Sequence, residues 1–225
     1  MKRRLYLLGI GIIVAALLPA VAWATTLPFI NEIHYDNVGS DLNEGIEIAG
    51  PAGFDLSGWS LVLYNGSGGL VYKDLLLSGT VTNQQNNYGV LWFPISGMQN
   101  GAPDGIAFID PSNVPMQFLS YEGDFTASNG AAAGMLSEDI GIRQDSPVPV
   151  AGYSLQLIGA GSAYSDFAWG GPVLSTPGAV NTGQTFPSTA TAAIPEPASL
   201  SILGMGLLCL LCKNVVKKNR ALSLA

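Results

Sequence analysis

Few side chains in this 225-residue sequence are suited to catalysis, and their positions narrow the chemistry further. His34 is the single histidine, and the two cysteines, Cys209 and Cys212, lie in an apolar run near the C-terminus. One histidine excludes a histidine-rich zinc site, and no G-x-S-x-G motif accompanies His34 to suggest a hydrolase triad. Residues 25–194 contain no cysteine, so disulfides, thiolate metal sites and cysteine nucleophiles are excluded there. We therefore expect a protein that is not an enzyme.

Acidic side chains are the one abundant reactive group. Five of them fall within 20 residues: Asp36, Asp41, Glu44, Glu47 and Asp55. Carboxylates on glycine-containing loops suit calcium, and the candidate ligands are Asp36, Asp41 and Glu44. Their spacing matches no EF-hand or nonapeptide repeat, so a solvated acidic surface is the favoured interpretation, and no cofactor is predicted.

Strand geometry separates two of these carboxylates. On a strand that begins at Glu44, its side chain shares a face with Ile46 and Ile48, while Glu47 points to the opposite face. Glu44 is then an inward-facing carboxylate, and it needs a partner. A cation, backbone N–H groups or a serine hydroxyl would each serve.

The charges are sorted along the chain. Only Lys73 and Arg143 are basic between Thr25 and Ile194, against 15 acidic side chains, so that segment has a formal charge of −13. Such a segment is repelled by phosphate backbones, and we expect no nucleic-acid partner.

The N-terminus has the pattern of a secretory signal peptide. Lys2-Arg3-Arg4 is followed by an apolar stretch, and small residues occupy the positions that signal peptidase reads, Ala22 and Ala24. The pattern predicts a signal peptide over residues 1–24, cleaved after Ala24. The alternative is an uncleaved membrane anchor.

The C-terminus predicts a second targeting signal. An apolar run over residues 198–216 predicts a transmembrane helix, and the basic residues after it should remain cytoplasmic. Pro195-Glu196-Pro197 stands just before this run. The proline-rich tripeptide, apolar helix and basic tail of residues 195–225 resemble the PEP-CTERM sorting signal. That resemblance implies processing by an exosortase, and an exported protein of the Gram-negative cell envelope, cell surface or extracellular matrix. The alternative is a plain inner-membrane anchor.

The region between the signals is rich in turn-forming residues and short strand-like runs. These runs cover residues 29–35, 46–49, 60–64, 70–77, 90–93, 106–109, 117–121, 153–158 and 166–169. Frequent turns without helical periodicity predict an all-β fold, an antiparallel sandwich over residues 25–186. A Ser-, Thr-, Ala- and Pro-rich stretch from Thr185 predicts a linker, placed at 187–194.

Four short motifs of this region occur in a recognisable order. They are Ile30-Asn31-Glu32-Ile33, Glu44-Gly45-Ile46-Glu47, Leu56-Ser57-Gly58-Trp59 and Pro177-Gly178-Ala179-Val180-Asn181. The ordered set resembles the bacterial lamin-tail domain, which implies an immunoglobulin-like β-sandwich. Gly45 departs from the pattern, because the family usually has a large residue there, and a gap or bulge is expected.

Other residues of these motifs have structural interpretations. Trp59 is expected to anchor the core, and Pro177-Gly178 to form a turn. Asn181 is expected to be a local hydrogen-bonding cap. Tyr64 and Tyr72, if exposed, could form a sugar-stacking platform.

These observations predict an exported, non-enzymatic surface or matrix protein that acts through an immunoglobulin-like interaction domain. Signal peptidase and an exosortase are its expected processing enzymes, and exopolysaccharide or cell-surface components its expected partners. One alternative is a calcium- or carbohydrate-dependent adhesion module. A second is the tethering domain of a secreted nuclease or phosphatase.

Overall fold

The computed structural model describes residues 26–145 and 150–188, and its regular structure there is β apart from one 3-10 turn at Tyr164–Asp166. The strands are β1 (Phe29–His34), β2 (Gly45–Pro51), β3 (Ser60–Asn65), β4 (Leu70–Leu76), β5 (Tyr88–Pro94), β6 (Asp104–Ile109), β7 (Pro115–Tyr121), β8 (Glu138–Asp139), β9 (Tyr153–Ala160), β10 (Phe167–Leu174) and β11 (Gln184–Thr185). Each of the nine predicted runs overlaps a strand. The two-residue strands β8 and β11 were not predicted.

The strands form two largely antiparallel sheets. The first has the order β10-β9-β1-β2-β5, with β11 added parallel to β9. The second has the order β4-β3-β6-β7-β8, with β8 parallel to β7. Ile33 and Ile46 of the first sheet share the main core with Leu61 and Phe108 of the second, so the sheets pack face to face. The predicted all-β, two-sheet architecture is confirmed.

Each sheet is also covered on its outer side, which is why strands β1 and β6 are buried at every position. Phe125 and Ala132 cover the second sheet at Tyr64. Tyr64 is completely buried, and its hydroxyl accepts a hydrogen bond from the Ala132 N–H at 3.1 Å. The alternative of a sugar platform at these two residues is therefore excluded, because Tyr64 is a core residue and the Tyr72 hydroxyl is engaged by the Gln99 N–H.

Trp59 lies in the main core, as predicted, with 6% of its surface exposed. Its ring stacks on Phe108 at a centroid distance of 4.7 Å and meets the edge of Phe54 at 5.6 Å. The indole thereby ties the loop before β3 to the inner face of the second sheet.

Gly45 leaves neither the gap nor the bulge that its sequence position suggested. The β2–β5 register runs unbroken from Gly45 to Pro51. A Cβ at position 45 would stand 2.4 Å from Cζ2 of Trp92 and 2.6 Å from the carbonyl oxygen of Phe93. The Trp92 indole fills the place of the missing side chain. The irregularity of this sheet lies at Asn31, where β1 carries one extra residue against β2.

The described chain enters and leaves the sandwich at the same end, beside Tyr88. The Tyr88 hydroxyl donates to Thr26 Oγ1 at 3.1 Å, and its ring stacks on Phe186 at 4.9 Å. We call this the entry end. Strand β5 starts there and reaches Pro94 about 20 Å away, at the end we call the far end. Phe186 is fully buried, and Thr185 belongs to β11. The first residues of the Ser-, Thr-, Ala- and Pro-rich stretch that starts at Thr185 are therefore part of the folded domain.

Candidate functional site

Two buried glutamates on neighbouring strands form the most unusual polar feature of the fold. Glu32 of β1 lies directly opposite Glu47 of β2, and neither has any exposed surface. Their neighbours Ile33 and Ile46 face the main core, so both carboxylates point to the outer side of the first sheet. The ion pair found within residues 26–145 and 150–188 joins Arg143 to Asp145. Neither Glu32 nor Glu47 takes part in an ion pair with another described residue. Hydrogen-bond donors stabilise both carboxylates instead.

Glu32 binds donors from two other parts of the chain. Its Oε1 accepts from the Ser154 hydroxyl at 2.6 Å and from the Thr176 N–H at 3.0 Å. Its Oε2 accepts from the Thr176 hydroxyl at 2.9 Å. Through these hydrogen bonds Glu32 links β1 to β9 and to the segment after β10.

Glu47 binds the segment after β10 as well, at Gly178, two residues after Thr176. Its Oε2 accepts from the Gly178 N–H at 2.7 Å, and its Oε1 accepts from the Asn31 amide at 2.9 Å. Burial raises the pKa of Glu47 to about 8, with the Glu32 carboxylate adding to the rise and the two hydrogen bonds opposing it. Burial therefore favours the protonated form of Glu47. We call Glu32, Glu47 and the turn Thr176–Gly178 that they hold the glutamate clamp.

Asn181 extends this network: its Oδ1 makes a local contact of the predicted kind with the Thr176 hydroxyl at 3.0 Å, and its amide nitrogen makes long-range hydrogen bonds that the prediction did not include. Its amide nitrogen donates to the carbonyl oxygens of Asn31 and Leu157, each at 3.0 Å. It therefore bridges β1 and β9 at the bulge, far from its own position in the sequence. The Gln184 amide then donates to Asn31 Oδ1 at 2.6 Å. The C-terminal segment is thus hydrogen-bonded to β1 at three successive points.

His34 is buried at the end of β1 and serves the fold. Its Nε2 lies 3.0 Å from the Leu42 carbonyl, and its Nδ1 lies 2.6 Å from the Gln144 amide nitrogen. The consistent tautomer has Nε2–H donating to Leu42 and Nδ1 accepting from Gln144. Both ring nitrogens are therefore engaged in holding the loop 35–44.

The three candidate calcium ligands do not converge. Asp36 accepts from the Asn100 amide at 3.3 Å, Asp41 accepts from the Asn37 N–H at 3.1 Å, and Glu44 accepts from the Gly97 N–H at 2.6 Å. Within residues 26–145 and 150–188, no group of three or more His, Cys, Asp or Glu side chains is arranged to hold a metal. Glu44 is buried, and of the three partners considered for it the structure has a backbone N–H, that of Gly97; burial raises its pKa.

Sequence reasoning missed Glu32 and Thr176. Glu32 stands among apolar residues in the middle of the run 29–35, where a charge is costly without partners. The position of a glutamate within an apolar strand was the sequence signal that could have identified a buried carboxylate with hydrogen-bond partners. Its partners are more than one hundred residues away, so no local pattern could identify them.

The predicted targeting residues lie outside the described part of the chain. This holds for Ala22, Ala24, Pro195, Glu196 and Pro197, and for the transmembrane prediction at 198–216. No helix among the described residues is long and apolar enough to cross a membrane.

Comparisons with known proteins give no relative. No protein-family model, curated protein or solved structure matches this chain.

Proposed function

We propose that this chain is an exported, non-enzymatic protein of the Gram-negative cell surface or extracellular matrix, which acts through an immunoglobulin-like interaction domain. Sequence supports export: a signal-peptide pattern over residues 1–24 and a PEP-CTERM-like signal over 195–225. Under this proposal signal peptidase and an exosortase process the chain, and exopolysaccharide or other surface components are its partners.

The strand order supports the immunoglobulin-like assignment. In that fold, strands A, B and E share one sheet, and strands C, F and G share the other, with C′ beside C in some variants. The neighbours β1-β2-β5 correspond to A-B-E, and β4-β3-β6-β7 correspond to C′-C-F-G. Strands β9 and β10 then extend the first sheet beyond A.

The observation that carries the functional proposal is the placement of both chain ends beside Tyr88. Thr26 and Phe186, which lie near the two ends of the described chain, both contact this residue, and the proposed signal peptide and sorting signal precede and follow them in the sequence. Under this proposal the domain is attached at its entry end, and its far end lies on the opposite side from the attachment. The glutamate clamp fixes the outgoing segment, which we define as the chain from Thr176 to Phe186, to the first sheet. This attachment suits a domain that is displayed on a tether.

The export steps can be tested in a host that has an exosortase. The exported protein should begin at Thr25, which N-terminal sequencing detects. Glu196→Ala should leave a larger, membrane-retained form on immunoblots of fractionated cells, whereas Glu138→Ala, an exposed glutamate of β8, should be processed normally. Equal release of the Glu196 variant and the parent would refute the sorting proposal, and retention of Met1 on exported protein would refute cleavage.

A further inference from the structure

A small pocket opens at the far end, on the outer side of the first sheet. It has a volume of about 250 Å³ and is lined by His34, Asn43, Trp92, Gly152, Ser175 and Pro177. These residues come from the ends of strands β1 and β5 and from the segments that flank β2, β9 and β10. Pockets for small molecules usually measure about 300–1,000 Å³, so this one fits a single ring and not a longer chain.

Gly45 determines the position of the aromatic wall. The indole atoms Cε2 and Cζ2 of Trp92 occupy the space that a side chain at 45 would need. Trp92 is only half-buried there, and Pro177 lines the same pocket. One aromatic and one proline side chain therefore line the pocket.

Hydrogen bonds of neighbouring residues fix the backbone at the two polar lining residues, Asn43 and Ser175. Ser175 and Pro177 flank Thr176, which Glu32 holds through both its N–H and its hydroxyl. The Ser175 N–H donates to the Gly152 carbonyl at 2.9 Å. Asn43 has a left-handed backbone (φ 61°) and follows Leu42, whose carbonyl is fixed by His34. The pocket is thus pre-formed, which lowers the ordering cost of binding.

The lining chemistry points to a neutral ligand. Among the described residues that line the pocket, none carries a charge when His34 is neutral. Hydrogen bonds within the described chain occupy the ring nitrogens of His34 but do not involve the side chains of Asn43 and Ser175. An amide and a hydroxyl beside an indole suit a ligand with hydroxyl groups at its edge and an apolar face. The formal charge of −13 on residues 25–194 disfavours anions.

We propose that this pocket binds one neutral pyranose unit of a polysaccharide, with the sugar ring against Trp92 and its hydroxyls on Asn43 and Ser175. The inference rests on the proposed function as an interaction domain and specifies its ligand class. Export and sorting can be correct while this inference fails, because the sorting assay does not depend on the pocket.

The test uses the full chain purified in a detergent without a sugar headgroup. Glucose, galactose, mannose, rhamnose and N-acetylglucosamine are titrated by calorimetry and by tryptophan fluorescence, with glucuronate and tetramethylammonium as charged probes. We expect at least one neutral sugar to bind with a millimolar Kd. Asn43→Gly and Ser175→Ala should each weaken binding about three- to tenfold, the effect of one neutral hydrogen bond.

Two further variants make the result specific. Trp92→Leu should weaken binding about tenfold or more and abolish the fluorescence change. Asn113→Gly is the matched control, since Asn113 has the same left-handed backbone (φ 63°) in an exposed turn and should bind like the parent. If Trp92→Leu does not fold, the sugar affinity of Asn43→Gly relative to the parent decides whether the pocket is the binding site. The proposal is overturned if no neutral sugar binds at tens-of-millimolar concentration, if only a charged probe binds, or if folded pocket variants bind as tightly as the parent.

Discussion

Glu32 and Glu47 hold the two ends of one three-residue turn. Glu32 binds Thr176 and Glu47 binds Gly178, with Pro177 between them. Because the glutamates face each other across β1 and β2, the turn is fixed to two strands at once. Pro177 lines the far-end pocket, so the clamp also positions one of its walls.

Glu47 should make the domain less stable as the pH rises. Its folded pKa of about 8 lies above the ordinary value of 4.5, so the folded state binds more protons between these values. The contribution of Glu47 to stability is therefore fully present below pH 4.5 and is lost as the pH rises through 8, by at most about 5 kcal/mol. Urea unfolding across this range should show a flatter pH profile in Glu47→Gln than in the parent. The exposed control Glu138→Gln should keep the parent profile, and identical profiles for all three proteins would contradict the prediction.

Glu32→Ala should destabilise the fold strongly. It leaves the Ser154 hydroxyl and the Thr176 N–H without their acceptor, and each buried unsatisfied donor costs about 1–3 kcal/mol, while the Thr176 hydroxyl can still donate to Asn181 Oδ1. We expect a loss of about 3–5 kcal/mol, measured by urea unfolding at pH 7. Glu32→Gln, which keeps the shape and one acceptor, should lose less. A loss below about 1 kcal/mol for Glu32→Ala would show that the clamp contributes little.

Gly45→Ala should be destabilising because the new Cβ would overlap Trp92 and the Phe93 carbonyl. Overpacking of this kind costs about 1–3 kcal/mol. Trp92→Ala relieves the indole overlap but not the carbonyl overlap. The double variant should therefore be more stable than the sum of the two single losses predicts, as thermal melts can show. Gly68→Ala, where the nearest atom to the new Cβ lies 4.0 Å away, is the control.

Trp59→Ala should cost about 3–5 kcal/mol, the range for truncating a large buried aromatic side chain. The indole is almost fully buried between Phe54 and Phe108, so its removal leaves a cavity. Chemical denaturation of the folded variant measures this loss. A value under about 1 kcal/mol would place the indole outside the core.

Added cations should stabilise the domain by screening. Residues 25–194 carry a formal charge of −13, and the three candidate calcium ligands have separate partners. We therefore expect calcium and magnesium to raise the melting temperature equally at matched ionic strength. A rise with calcium alone that disappears in Asp41→Ala or Glu44→Ala would reveal a built site.

The sequence predicted the long strands well because turns and β-branched residues are local signals. Strand β11 was missed, since two residues carry no periodicity and its partner is β9. Ser154 and Gln156 alternate with apolar residues in the sequence, a pattern that is typical of a strand with one face in water, but both polar side chains are fully buried. They face the clamp and the C-terminal segment instead of water. Contacts such as Thr176 with Glu32 depend on how the whole chain folds, and neither local pattern nor composition contains that information.

Mechanical load has a defined route through this fold. A pull applied beyond Phe186 reaches its stack on Tyr88 first, then the bonds of Gln184 and Asn181, and then the Gly178–Glu47 bond. These contacts are loaded one after another from the C-terminal side, while the core between the two sheets bears the force last. When the domain is held by its C-terminal end, we expect the segment from Thr176 to Phe186, including β11 and its pairing with β9, to detach from the first sheet before the two sheets separate.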